Sequence, residues 1–470
     1  MDIKEATKIF LIGIGGIGMS ALARLFLAMG KQVSGSDLKH SDILENMRML
    51  GVNVFIGHDP KNINPNYDLV VYSADITEQS EGYKELEQAQ KLGLNIQSYA
   101  KVLGALMQGK YGIGVTGTNG KSTTTALLGL ILDAAEFDPT VVAGTQISPA
   151  NENEKFKANA RLGSGKHVVV EADEYQRKML ETKPRMIVLT NIAEDHLDYY
   201  KDLEDIKNAF RDYVKSLPKD GILIFNADDH NTVDIVHHAN CHKFSFGIHH
   251  YADLQAMNIK VENGKQTFDM HYDDEKIGTF ELHVPAKYNV SNALGASLAA
   301  IKLGVKTEII EKVLREFAGT WRRFETIGKL GSAAIISDYG HHPAGVLGTI
   351  EAAKEFYPGK KILIVFQPHH RNRTKRLFGE FVEALTRADD LIIPEIFEVA
   401  GREHGEDISS RDLVNELKKL GTNAEYANDL AHAEGMVRNK LKDFDVVIFM
   451  GAGDVDLLAR KLVHYNTAPY

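Results

Sequence analysis

Short apolar runs recur along the chain, each closed by glycine or polar residues and most followed by apolar positions at helical spacing. Lys8-Ile-Phe-Leu-Ile-Gly-Ile14 reads as a buried strand running into Gly13-Ile-Gly-Gly-Ile-Gly18, then a helix from Met19 to Met29 and a second strand ending in Val33-Ser-Gly-Ser-Asp37. Further strands are predicted at Asn53–Ile56 and Asp68–Ser73, with a helix at Glu81–Leu92 and closure of this unit near Met107–Lys110. A second unit opens with the run Tyr111 to Val115 and a Thr- and Leu-rich helix, and continues with strands within His167–Glu174, Met186–His196 and Gly221–Asn226. From Ile259 to Pro285 the period drops to two, the pattern of antiparallel hairpins, before an Ala-rich helix at Tyr288–Leu303. In the third unit, strands at Ala333–Asp338, Lys361–Gln367, Asp390–Pro394 and Asp445–Met450 alternate with helical stretches. The whole is an α/β chain.

Composition narrows the function classes. A chain of 470 residues exceeds one hydrophobic core, and about three domains is the expectation. Apolar content of 44% and charged content of 25% are ordinary for a globular protein. A net charge of −10 argues against a nonspecific nucleic-acid binder. The one cysteine, Cys241, excludes an internal disulfide framework and a cysteine-based zinc site. The N-terminus lacks the basic start and apolar stretch of a signal peptide, and no apolar run approaches the roughly 18 residues of a membrane span. A cytoplasmic protein without membrane or nucleic-acid partners is expected.

Candidate chemistry begins at Gly114-Val-Thr-Gly-Thr-Asn-Gly-Lys-Ser-Thr-Thr-Thr125. A strand, a glycine-rich loop and a helix in that order form a phosphate cradle, with backbone N–H groups and the positive helix end facing the phosphates. Lys121 is placed to reach the β- and γ-phosphates and the Ser122 hydroxyl to ligate Mg²⁺, although Val115 stands where the usual pattern has its first glycine. The strands ending at Glu171 and before His196 deliver a carboxylate and an imidazole to the same sheet edge, so Ser122, Glu171 and His196 are candidates for one metal site. Gly13 to Gly18, with Asp37 about 20 residues further on, is the dinucleotide fingerprint; alone it fits a nicotinamide dinucleotide or any other pyrophosphate. Asn289 and Asn292 are helix caps or ligand contacts. Gln367-Pro-His-His-Arg-Asn-Arg-Thr-Lys-Arg376 is a solvated basic face or, following a buried strand, an anion or carboxylate site.

Taken in order, Gly117-Thr-Asn-Gly-Lys-Ser122, Glu171-Ala-Asp-Glu174, Asn191-Ile-Ala-Glu-Asp-His196, Tyr288-Asn-Val-Ser-Asn-Ala293, Arg322-Arg-Phe-Glu325 and Ser337-Asp-Tyr-Gly-His-His-Pro343 resemble the Mur ligase family over essentially the whole chain. Within it, the chain is most similar to the alanine-adding branch, through Gly13-Ile-Gly-Gly-Ile-Gly-Met-Ser20, Gly35-Ser-Asp37, the Asp-Tyr-Gly-His-His-Pro run and Phe366-Gln-Pro-His369. The resemblance implies three domains: a Rossmann-like UDP-sugar domain at 1–107, a central P-loop ATP domain with added antiparallel hairpins at 108–320, and a C-terminal Rossmann-like amino-acid domain at 321–470. It implies ATP and Mg²⁺ as cofactors, UDP-N-acetylmuramate and L-alanine as substrates, and a monomer or weak homodimer. Gly15, Gly16, Ile17 and Gly18 are then expected at the pyrophosphate and Ser36, Asp37 and Ser73 near the nucleoside. Thr116, Gly117, Thr118, Asn119, Gly120, Lys121, Ser122 and Thr123 are expected around ATP, with Asn289 and Asn292 by the adenine and Arg323 and Asp338 by its ribose and phosphates. Lys121, Glu171, His196 and His341 are the expected catalytic groups, with His196 serving a second metal; Tyr339, His341 and Arg373 are expected at the amino acid.

The chain departs from that branch in places. Asn119 and Ser122 stand where a His and a Thr are common, Tyr175-Gln176 where Ser-Asp is usual, and His370 where an Arg follows Pro-His. Arg211 occupies the spacing at which other family members place a carbamylated lysine. Tyr175 resembles the family's tripeptide-joining ligases, which join L-Ala-γ-D-Glu-diaminopimelate to the same sugar nucleotide and form the nearest rival reading. A nicotinamide oxidoreductase built on Gly13–Gly18 leaves the phosphate loop unexplained, and a non-catalytic nucleotide sensor has no use for Lys121, Glu171 and His196 together.

Overall fold

The computed structural model describes residues 3, 5–146, 159–196, 199–262, 264–398 and 408–464. Among the described residues, three sheets organise the chain. The first contains β1 (Lys8–Ile12), β2 (Gln32–Asp37), β3 (Asn53–Ile56), β4 (Leu69–Tyr72) and β5 (Ile96–Ser98), all parallel, in the order β3-β2-β1-β4-β5. Ile9, Phe10, Leu11 and Ile12 are wholly buried because helices cover both faces of a parallel sheet, which is why β1 reads as a continuous apolar run.

The second sheet has ten strands: β6 (Tyr111–Thr116), β7 (Thr140–Val142), β8 (Ala160–Arg161), β9 (His167–Glu171), β10 (Met186–Leu189), β11 (Ile222–Asn226), β12 (His242–Gly247), β13 (Leu254–Glu262), β14 (Lys265–Tyr272) and β15 (Glu275–Leu282). Its order is β15-β14-β13-β12-β11-β10-β6-β9-β7-β8, so β6 lies between β9 and β10 and is parallel to both. The chain leaving β6 therefore emerges beside the ends of the two strands that carry Glu171 and lead to His196. Asp273 and Asp274 join β14 to β15 with φ of 48° and 67°, the paired left-handed geometry of a type I′ hairpin turn.

The third sheet comprises β16 (Glu325–Leu330), β17 (Ala333–Asp338), β18 (Ile362–Phe366), β19 (Asp390–Pro394), β20 (Asn423–Ala427) and β21 (Val446–Met450), in the order β16-β17-β21-β18-β19-β20. Only β16 runs antiparallel to its neighbour. The chain divides into two compact units: residues 1–259, 268–281 and 288–317 form one, and residues 260–267, 282–287 and 318–470 the other. The expected α/β architecture with parallel sheets and an added hairpin region is present. Strands β5, β7, β8, β12, β16 and β20 were outside the sequence expectation; most are short or sit at a sheet edge, where half-polar composition gives little apolar signal. The β13 strand also begins at Leu254, ahead of the expected start at Ile259.

Candidate active site

The loop expected to cradle phosphate is Gly117–Gly120, between β6 and the helix Lys121–Ala134. Gly117 and Gly120 adopt φ of 135° and 82°, which a side chain resists. A Cβ on Gly120 would also stand 2.2 Å from Asn292 Oδ1, so Asn292 packs directly on the loop. Asn289 and Asn292 are both buried, the amide of Asn292 donating to Asn289 Oδ1 at 3.3 Å. Residues after β10 brace the loop from the other side. Asn119 N–H donates to Asn191 Oδ1 at 2.9 Å, while Asn191 Nδ2 and Thr190 Oγ1 donate to the Asn119 carbonyl at 2.9 and 2.5 Å. Thr118 Oγ1 accepts from Ala193 N at 2.9 Å, and the buried Thr116 hydroxyl donates to the Ala172 carbonyl at 2.8 Å. Thr190 was not singled out from sequence, and Asn191 appeared only as the first residue of the motif ending at His196; their signal was the polar pair directly after an apolar strand.

Lys121 turns its ammonium back over the loop, donating to the carbonyls of Gly117 at 2.6 Å and Thr118 at 3.0 Å and to Glu174 Oε1 at 3.0 Å. The other Glu174 oxygen is 2.8 Å from the same nitrogen, yet has no partner in hydrogen-bond geometry although it is buried. Burial works against the Lys121 charge, but Glu174, Asp173 and Glu171 outweigh it and hold the ammonium above its ordinary pKa. Burial likewise pushes the Glu174 carboxyl up, Lys121 countering and Asp173 adding to it. Such a group accepts a cation readily, because a second positive charge relieves an incompletely compensated buried carboxylate.

The expected metal residues fall into two arrangements. Ser122 Oγ donates to Glu171 Oε1 at 3.0 Å, and Gly144 N–H donates to Glu171 Oε2 at 2.6 Å. His196 instead faces Asp173 and Glu174, with ligand atoms of all three within 4.8 Å of one another. Its Nε2 is 3.7 Å from Glu174 Oε1 and 4.0 Å from Asp195 Oδ2, and its backbone is left-handed at φ 52°. Burial opposes ionisation of Asp173, but Lys178 and Lys121 hold its pKa below the ordinary value. A hydroxyl beside a carboxylate is a hard oxygen set that fits Mg²⁺, and the second group adds an imidazole to two carboxylates, one of them paired with Lys121.

In the first sheet Gly16 precedes the helix Ile17–Ala28, and Gly15 N–H donates to Asp37 Oδ2 at 2.8 Å. Asp37 is therefore bound to the glycine loop itself. Gly18 is required by packing, since a Cβ there would lie 2.7 Å from the Tyr99 ring, and Ser73 sits against Gly13. Ser36 is fully buried: its hydroxyl donates to Glu85 Oε2 at 2.5 Å beside His58 Nδ1.

In the other unit, buried Asp338 accepts from Phe324 N–H at 2.8 Å, Gly340 N–H at 2.7 Å and the Thr349 hydroxyl at 3.1 Å. The Tyr339 ring lies 5.0 Å from the Arg322 guanidinium and 5.1 Å from that of Arg323. His341 Nδ1 is 2.9 Å from the Tyr339 carbonyl, which fixes the proton on that nitrogen. His369, 6.2 Å from His341 and stacked on Phe397 at 5.3 Å, is driven down to about 3 by burial and by His370, His341 and Arg373, so it is neutral in ordinary buffers. Arg322 donates to the carbonyls of Gly451 and Gly453, fixing the turn after β21. Arg373 lies on the short helix Arg371–Arg376, which follows left-handed His370 at φ 68°. Arg211 pairs with Glu204 and Asp234.

Three family profiles match the chain: the Mur ligase family catalytic domain over residues 8–111, the Mur ligase middle domain over 115–300, and the Mur ligase glutamate ligase domain over 322–453. A UDP-N-acetylmuramate–L-alanine ligase of Clostridium novyi is 38% identical over 449 residues, 95% of each chain. The structure of a UDP-N-acetylmuramate–alanine ligase from Thermotoga maritima superposes with a TM-score of 0.83 at 27% identity, covering 98% of this chain and 99% of that one. A murein peptide ligase from Psychrobacter arcticus shares the fold with a TM-score of 0.71 at 23% identity, covering 99% and 100%.

Proposed function

The chain belongs to the Mur ligase family, and from that premise we propose that it joins L-alanine to the carboxylate of UDP-N-acetylmuramate, with ATP converted to ADP and phosphate, in cytoplasmic synthesis of peptidoglycan precursors. The observation that carries the chemistry is Lys121, whose half-buried ammonium bridges the phosphate loop and Glu174.

The sugar carboxylate attacks the γ-phosphorus and ADP leaves, giving an acyl phosphate. The neutral amine then adds to the acyl carbon, loses a proton, and the tetrahedral intermediate expels phosphate as the amide forms. Two anions must meet in the first step, so fixed positive charge and oriented N–H groups are the main requirement. Lys121 exchanges its loop carbonyls for phosphate oxygens, and the N–H groups at the head of the helix Lys121–Ala134 take the remaining phosphate charge. Mg²⁺ held by Ser122 and Glu171, with a second cation at His196, supplies further neutralisation when bound. The left-handed Gly120 and its packed neighbour Asn292 keep the loop backbone turned toward the nucleotide. The Gly15–Asp37 hydrogen bond presets the glycine loop that receives the pyrophosphate. Tyr339, His341 and Arg373 are assigned to the amino acid, and Arg323 and Asp338 to ATP.

The reading includes three domains at 1–107, 108–320 and 321–470 and a monomer or weak homodimer. Among the described residues no helix is long and apolar enough to cross a membrane. The test is phosphate release from ATP and Mg²⁺ with UDP-N-acetylmuramate and, in separate incubations, L-alanine, L-serine, glycine or L-Ala-γ-D-Glu-diaminopimelate. Release that requires both the sugar nucleotide and L-alanine is expected. Release with the tripeptide alone transfers the chain to the tripeptide-joining reading, which Tyr175 favours.

A further inference from the structure

His196 poses a question of orientation. Its left-handed backbone, at φ 52°, persists only because its surroundings enforce it. The backbone is tied: its N–H donates to Asp195 Oδ1 at 2.7 Å and its carbonyl accepts from the N–H groups of Tyr199 and Tyr200 at 2.9 Å each. The ring is not tied in the same way. Its approaches to Glu174 and Asp195, 3.7 and 4.0 Å, exceed hydrogen-bond length. What touches it is Tyr175, whose ring centroid is 4.6 Å from the imidazole at an interplanar angle of 39°.

Tyr175 is itself fixed from several directions. Its N–H donates to Asp173 Oδ1 at 3.1 Å, and Tyr199 meets its ring edge-on at 6.0 Å. Lys178 Nζ stands 4.8 Å from the ring centroid while holding Asp173 Oδ2 at 3.0 Å. The next two residues, Gln176 and Arg177, are both left-handed at φ 54° and 57°, and Arg177 is anchored by Asp205 and Asp212 at 3.1 Å each. A turn so constrained serves to aim the residue before it. Tyr175 thus follows the two carboxylates Asp173 and Glu174 in sequence and packs, tilted, against the imidazole that faces them in space.

We propose that Tyr175 is a positioning residue for His196, its flat ring holding the imidazole so that Nε2 is presented toward Asp173 and Glu174 for a divalent cation. The proposal rests on the ligase reading for its use of the cation, but its test needs no turnover. The ring face does the work, so phenylalanine substitutes for tyrosine and a side chain without a flat face does not.

The test is Mn²⁺ titration of the full-length protein with ADP present, free Mn²⁺ being read by electron paramagnetic resonance. Tyr175→Ala is expected to weaken Mn²⁺ binding about tenfold, the scale of lost outer-shell support at a metal site. Tyr175→Phe is expected to bind within about twofold of the unaltered chain. In a His196→Ala background, Tyr175→Ala is expected to add nothing, because the residue it positions is gone. Tyr175→Leu replaces the alanine variant if that one fails to fold, with the same expectation, since leucine fills volume without a flat ring. Unchanged Mn²⁺ binding in Tyr175→Ala, a full additive loss in the His196→Ala background, or an unaltered chain that binds no Mn²⁺ overturns the proposal. None of these results bears on which amine is ligated, so the two readings fail separately.

Discussion

At the residue scale, the phosphate loop combines backbone strain with close packing, and each has a measurable consequence. Lys121→Ala removes the one ammonium that links loop carbonyls to Glu174. It is expected to cut phosphate release by about 10²- to 10³-fold, the range for loss of a preorganised charge-stabilising group, while UDP-sugar affinity measured by calorimetry stays unchanged. Gly120→Ala places a side chain at φ 82° and 2.2 Å from Asn292 Oδ1. A left-handed alanine costs about 1–2 kcal/mol before any clash, so a lower melting temperature and weaker ADP binding are expected together. An alanine variant with unaltered ADP affinity would mean that the loop accommodates the Cβ without shifting. The strand–loop–helix order announced Lys121, Ser122 and Glu171, because charge and hydroxyl groups at a strand end have few structural uses. Glu174 and Asp173 were legible only as members of a motif. Their roles come from burial against Lys121 and from proximity to His196, which are tertiary facts. Ser36 and Asp37 show the same limit: adjacent in sequence, one is buried against Glu85 and the other holds Gly15 N–H.

At the element scale, the joints between strands are set by single polar groups. Asp68, just before β4, accepts from the Thr7 hydroxyl at 2.7 Å and from the N–H groups of Thr7 and Lys8 at 2.8 Å each, joining the starts of β1 and β4. These bonds, the Thr7 hydroxyl foremost, lower its pKa to about 2. Its ordinary value is 3.8, so the stabilisation is present above that pH and is lost as pH falls toward 2. Asp68→Asn is therefore expected to melt below the unaltered protein at about pH 6, with the difference closing near pH 2. A difference that stays constant across that range would remove Asp68 as the linked group. Apolar runs with glycine or polar residues at their ends exposed most inner strands in the sequence: β17, β19 and the edge strand β3 match the expected spans, and β4, β11, β18 and β21 match them within one residue at either end. β12 and β20 were hidden because each carries only two or three apolar residues among polar ones and is exposed or half-buried at most of its positions. β16 was hidden by Gly328, at φ 152°, where its pairing with β17 shifts register.

At the scale of the whole molecule, the chain gathers the candidate site from strand ends. In the second sheet, β6, β9 and β10 are parallel neighbours, and their ends supply the phosphate loop, Glu171 and the segment leading to His196. That convergence follows from topology and was partly foreseeable, because parallel strands joined by crossovers place all their C-terminal ends on one edge. The grouping of the first two sheets into one compact unit was not foreseeable, since composition shifts mark linkers and not packing. The central claim is that an acyl phosphate links ATP to the new amide. It is tested most directly with UDP-N-acetylmuramate labelled with ¹⁸O in its carboxylate, ATP, Mg²⁺ and L-alanine, analysing the released phosphate by mass spectrometry. The account predicts one ¹⁸O atom in phosphate for each amide formed, because the carboxylate oxygen that attacked phosphorus leaves with it. Amide formation accompanied by phosphate free of label would contradict it.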